Sequence, residues 1–218
     1  MKHILITGFG PFGPYPQNCT EIFARRHDGN LLAGYRIHSM VFEANIPDHN
    51  RGAQVMAAAQ EIDACAIVAL GMASTKSGLC IETVTRNRIL NEKYCPAALN
   101  NTLVDPSRPF NEELELDVRR WDPPTVRQKC FSLGLHVETS RDPGGFCCNH
   151  LMYQMAVRER EIQASEGPKA RRIPWVYVHV PCTEECLPQN MNGSRPKTVL
   201  TFEMLEKGLR LLIGNACP

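Results

Sequence analysis

Trp175-Val176-Tyr177-Val178-His179-Val180-Pro181 is apolar at every position but one and stops at a proline. Side chains alternate between the two faces of a strand, so a run apolar on both faces must be covered on both. That is the condition of a strand inside a largely parallel sheet packed between helices. Similar short runs occur at 3–7, 35–43, 64–70, 79–86 and 134–139, and the run that contains Trp175–Pro181 is expected to form a strand over 173–180. Helix-like stretches lie near 19–26, 48–61, 123–132, 147–162 and 198–213. In the last of these Phe202, Leu205, Leu209 and Leu212 recur at spacings of three and four, which predicts one side buried on the sheet. The alternation predicts an α/β protein: one three-layer α/β/α sandwich around a twisted sheet, filling residues 1–218.

The bulk numbers narrow the partners. A chain of 218 residues with 43% hydrophobic content can fill one large core. Its 24 basic and 23 acidic residues leave a formal charge of +1, so no bulk field draws nucleic acid. The first apolar run ends at Gly8, too short for a signal peptide or a membrane span, and a cytoplasmic protein is expected. Ten cysteines occur without a Cys-x-x-Cys pair, which predicts that most are buried, reduced thiols. Cys182-x-x-x-Cys186 has no second ligand pair, so no metal is expected. Residues 88–121, with Pro96, Pro106, Pro109 and acids at Glu112, Glu113, Glu115 and Asp117, read as an excursion with only local structure, a candidate lid or assembly surface. The tail after Ile213 is expected to fray.

Gly8-Phe9-Gly10-Pro11-Phe12-Gly13 follows the first strand and satisfies the dinucleotide fingerprint, which suggests NAD. Two features oppose this. Pro11 and Pro14 fall where the phosphate-binding helix should begin, and the next strand-end acid, Glu43, comes thirty residues after Gly13 instead of about twenty. Phe9 and Phe12 on a stiff turn suit a small flat ligand held between rings; the blander reading makes both of them core residues.

Chemistry concentrates in three places. Gly144-Gly145-Phe146-Cys147-Cys148-Asn149 joins a strand to a helix and delivers two thiols at the first helical turn. Backbone N–H groups there carry partial positive charge, which favours a thiolate and can bind an oxyanion. The alternative is that both thiols are small core residues. His179 lies near the carboxyl end of its apolar strand, where parallel sheets carry their sites, and is the best candidate base among the seven histidines. Glu82, in Leu79-Cys80-Ile81-Glu82-Thr83-Val84, is an acid in a β-prone run and needs a buried partner. A contact between His179 and Glu82 would fix the imidazole tautomer.

Residues 7–13, 82–87, 144–149 and 178–181 together resemble, in order, the motifs of the pyroglutamyl peptidase I (pyrrolidone-carboxylate peptidase) family. The resemblance covers most of the chain, except 88–121. It implies a Cys–His–Glu set at Cys148, His179 and Glu82, with Cys147 a bystander. It also implies a thiol protease of the omega-peptidase kind, which removes N-terminal 5-oxoproline from peptides through a thioester, without metal or cofactor. The neutral lactam would be held by Phe9, Phe12 and Phe146, with Asn18 near the pocket. Some positions depart from the family: Cys19 follows Asn18, Pro143 precedes Gly144, and Met72 stands for a common glutamine. These departures bear on specificity. The family includes oligomers, so self-assembly is compatible with the resemblance. A redirected or inactive binding protein on the same scaffold, and the nicotinamide oxidoreductase, are the alternatives.

Overall fold

The computed structural model describes residues 1–46, 50–90, 96–167, 171–189 and 195–216. In chain order the elements are β1 (His3–Phe9), α1 (Cys19–His27), β2 (Leu31–Leu32), β3 (Tyr35–Phe42), α2 (Arg51–Glu61), β4 (Ala64–Met72), β5 (Leu79–Glu82), β6 (Val84–Arg86), β7 (Glu113–Glu115), α3 (Pro123–Phe131), β8 (Val137–Ser140), α4 (Cys147–Glu166), β9 (Trp175–Val180), β10 (Cys182–Thr183), β11 (Val199–Leu200) and α5 (Phe202–Gly214).

Seven strands form the main sheet in the order β2-β3-β1-β4-β9-β5-β8. Strands β3, β1, β4 and β9 are parallel, whereas β5 runs antiparallel to β9 and carries β8 parallel to itself. The sheet is therefore mixed and mostly parallel. Alternating side chains divide the core in two. Val176, Val178 and Val180 face Phe23 of α1, Val126 of α3 and Leu205, Leu209 and Leu212 of α5. Trp175 and Tyr177 face Val55 and Met56 of α2 and Leu151 and Met152 of α4. Helices cover both sheet faces, which is why the apolar runs of the sequence lack a polar side.

The structure corrects several boundaries. The run 79–86 breaks at Thr83, whose N–H and hydroxyl both bond Ser140 O, and β6 leaves the main sheet to pair with β7. The strand expected from 134 begins at Val137, because Gly134 (φ +73) and Leu135 close the end of α3 through Leu135 N–H to Cys130 O. The last helix starts at Phe202; Val199 and Leu200 pair with β10, and Thr201 caps the helix by accepting from Met204 N–H. The helix expected from 48 starts at Arg51, capped by Asn50, and 47–49 lie outside the described residues. Helix α4 runs past 162 to Glu166. The tail does not fray at Ile213, since Ala216 is fully buried and its N–H bonds Ile213 O. The excursion at 88–121 contributes β7 and an Ile89–Thr102 bridge.

Among the described cysteines, Cys19, Cys80, Cys130, Cys147, Cys182 and Cys186 are buried free thiols and Cys148 is a partly exposed one. Most are reduced, as expected, and Cys65 is disulfide-bonded. Among the described residues no helix is long and apolar enough to cross a membrane, and no group of three or more candidate ligands could hold a metal ion.

Candidate active site

The strand polarity reverses between β9 and β5, and the site is built on that seam. His179 lies opposite Gly71 of β4 on one side and Cys80 of β5 on the other. Glu82 is two residues beyond Cys80 and therefore on the same sheet face as His179. Its Oε1 lies 2.8 Å from His179 Nδ1. The carboxylate is fully buried, and its Oε2 has no hydrogen-bond partner. Lys76 Nζ stands 3.5 Å from the same Oε1, so a ring nitrogen and an ammonium share one oxygen.

Cys148 arrives from the other direction, as the second residue of α4. Phe146 precedes the helix and makes no side-chain cap bond to its first turn. The turn before it is pinned by Leu90 N–H to Gly145 O at 2.8 Å. A β-carbon on Gly71 would come within 2.4 Å of the Tyr177 hydroxyl and 2.8 Å of Cys148 Sγ. Only glycine at that point of β4 lets the sulfur lie against the sheet beside His179.

The charges follow from these contacts. The Cys148 thiol is held well below its ordinary range, first by a hydrogen bond from Cys147, against the opposing effect of burial, and then by the charge of His179. Burial alone would lower His179, but the Cys148 thiolate and then Glu82 outweigh it and raise its pKa to about 9. Cys147 is pushed well up by its bond to Cys148 and by burial, so it remains a neutral donor. The buried Tyr177 hydroxyl lacks an acceptor at good hydrogen-bond geometry, yet it is near enough to help stabilise the Cys148 thiolate. Both shifts favour a thiolate beside an imidazolium.

A cavity of about 230 Å³ opens on this pair. Its walls include Phe9, Phe12, Asn18, Met72, Phe146, Cys147, Cys148 and His179, so the site residues read from the sequence converge there, with Glu82 behind His179. Phe9 is 2% exposed, packs in the core and also lines the cavity. The Asn18 side chain is occupied: it donates to Gly10 O at 2.9 Å and caps α1 by accepting from Thr20 N–H at 3.0 Å. Helix α1 begins at Cys19, well past the glycine fingerprint, and a β-carbon on Gly8 would meet Thr20 O at 2.5 Å. That glycine serves helix packing. Sequence reading did not single out Lys76 or Tyr177, and it left Cys147 as a bystander. No local pattern marks Lys76 or Tyr177, whose importance comes from strands that meet only in the fold. The pair of adjacent thiols was the visible signal for Cys147.

Residues 2–217 match the family model described as pyroglutamyl peptidase. The chain belongs to the pyroglutamyl peptidase family. The family consists of cysteine hydrolases. The pyrrolidone-carboxylate peptidase of Mycobacterium tuberculosis is 27% identical over 187 residues, covering 84% of this chain and 78% of that protein. That of Vibrio campbellii is 24% identical over 217 residues, covering 97% and 91%. Among solved structures, pyrrolidone carboxyl peptidase from Thermococcus litoralis superposes with a TM-score of 0.74 at 21% identity, covering 99% of this chain and 93% of that one. Pyroglutamyl peptidase I of Bacillus amyloliquefaciens gives 0.73 at 22% identity, covering 99% and 97%. At those identities the structures speak for the fold.

Proposed function

We propose that this chain, one domain over residues 1–218, removes N-terminal pyroglutamate from peptides, with Cys148 as nucleophile, His179 as general acid and base and Glu82 as its orienting carboxylate. The observation that carries this reading is that Cys148 and His179 open onto a cavity walled by Phe9, Phe12 and Phe146. Apart from that pair, the described residues of the cavity lining include no ionisable side chain but the Cys147 thiol, a neutral donor. Such a pocket suits a flat, neutral lactam and disfavours a free carboxylate or amine.

Cys148 Sγ attacks the pyroglutamyl carbonyl, and the oxyanion faces the N–H groups of the first turn of α4. The C–N bond breaks as His179 gives its proton to the departing amine, leaving a thioester and a neutral imidazole. Water then attacks, His179 takes its proton, and the C–S bond breaks to release 5-oxoproline and restore the ion pair. Glu82 holds Nδ1–H so that Nε2 faces the reaction. No step calls for a metal or cofactor. The same reading places the enzyme in the cytoplasm, acting on peptides and not on nucleic acid or membranes, with 88–121 as a surface through which copies could assemble.

Met72, 5% exposed, lines the cavity with a thioether and favours a second, narrower reading in which the preferred acyl group is a less polar cyclic or blocked amide. Fluorescent-amine release from pyroglutamyl, prolyl and N-acetyl amides separates them. The pyroglutamyl amide should be turned over fastest. Turnover of another amide with none of the pyroglutamyl one would keep the hydrolase and discard the substrate.

A further inference from the structure

Lys76 lies in the loop between β4 and β5, and its side chain is only 16% exposed. Its Nζ donates to Ser140 Oγ at 3.0 Å and reaches the Asp142 carbonyl at 3.4 Å, while its own N–H closes a turn onto Ala73 O. The end of β8 thus steers the ammonium toward Glu82 Oε1, 3.5 Å away. An ammonium kept so far from water needs a buried anion, and Glu82 needs a cation equally.

Other ionisable groups face this pair from the surrounding strands and from α4. Cys80 donates to Glu138 at 3.0 Å, and burial pushes its thiol up to about 12, so it stays neutral. Glu138 is 41% exposed and paired with His136 at 3.3 Å, in contact with solvent. Tyr177 is held neutral by burial, and Cys147 is neutral for the reasons given above. What remains buried among the described residues is an alternating string of four charges: Cys148 negative, His179 positive, Glu82 negative, Lys76 positive. With the lysine this string is balanced, and Glu138 at the surface also feels the ammonium.

We propose that Lys76 is a positioning residue for the hydrolytic reaction, holding the Glu82 carboxylate against His179 and balancing its charge. The inference rests on the assignment of Cys148, His179 and Glu82 made above. Without the ammonium one of two things must follow. Either Glu82 stays ionised and the site gains a net negative charge, or Glu82 takes a proton and His179 loses its support. Both make the Cys148 thiolate harder to form.

The test is the pH dependence of Cys148 alkylation by iodoacetamide, read by peptide mapping, in wild type, Lys76→Met, Lys76→Arg and Ser140→Ala. The midpoint should rise by about one pH unit in Lys76→Met, making labelling roughly tenfold slower on the acid side. Lys76→Arg should recover most of the loss, and Ser140→Ala, which removes one acceptor of the ammonium together with the bond from Asp142 N–H, should shift the same way by less. A midpoint in Lys76→Met equal to that of wild type, or an arginine variant as impaired as the methionine one, would overturn the proposal while leaving the nucleophile in place. If wild-type Cys148 itself labels like an ordinary thiol, the underlying assignment fails and this inference with it.

Discussion

Cys148 is flanked by Cys147 and faced by His179, and both lower its thiol pKa. Cys147→Ala removes the neighbouring donor without adding volume beside the nucleophile. Alkylation kinetics should then show the Cys148 midpoint moving up, with turnover surviving at higher pH. The activity profile has a determined sign. Cys148 is lowered, so kcat/KM rises as pH climbs through its midpoint, well below the ordinary thiol range. His179 is raised to about 9, so above that pH the imidazole has no proton for the departing amine and activity falls. A pH–rate series should give this bell; an alkaline limb near the ordinary imidazole value would contradict it. At this scale much of the site was legible, because a thiol after a double glycine and an imidazole ending an apolar strand are local patterns. Lys76 was not, since its partner is set by tertiary contact alone.

Between elements, the critical join is the one that brings α4 to β6, the strand that follows Glu82 in the chain. Asn149, next to Cys148 and fully buried, makes it. Its Oδ1 accepts from Thr85 Oγ1 and Arg86 N–H, each at 2.9 Å, and its Nδ2 donates to Arg86 O and Arg88 O, each at 2.8 Å. Asn149→Ala leaves buried backbone groups of this join unsatisfied and should cost about 2–4 kcal/mol in urea unfolding. It should also lower kcat more than it raises KM, because the helix start drifts from His179. Hydrophobic periodicity placed most strands and helices near their true positions, but it carries no information on strand direction. The reversal of β5 against β9 and the break at Thr83 come from pairings with β8 and β7 that no local run encodes.

Across the whole molecule, the sheet holds three distant parts of the chain within reach of one cavity. The excursion is fastened behind it: Asn87 is fully buried, donates to the carbonyls of Asp105, Arg108 and Pro109, and accepts from Asp105 N–H at 2.8 Å. Tyr153 of α4 bonds Glu112 from the other side. Such ties are invisible to composition, which is why 88–121 read as loop. The fold class was readable because helices on both faces force apolar strands. The central claim is that this fold makes Cys148, and not Cys147, the group that takes the acyl. Rapid acid quench during turnover of a pyroglutamyl amide, followed by peptide mapping, tests it most directly. The 5-oxoprolyl thioester should be found on Cys148. An acyl group on Cys147, or turnover that survives in Cys148→Ser, would contradict the account.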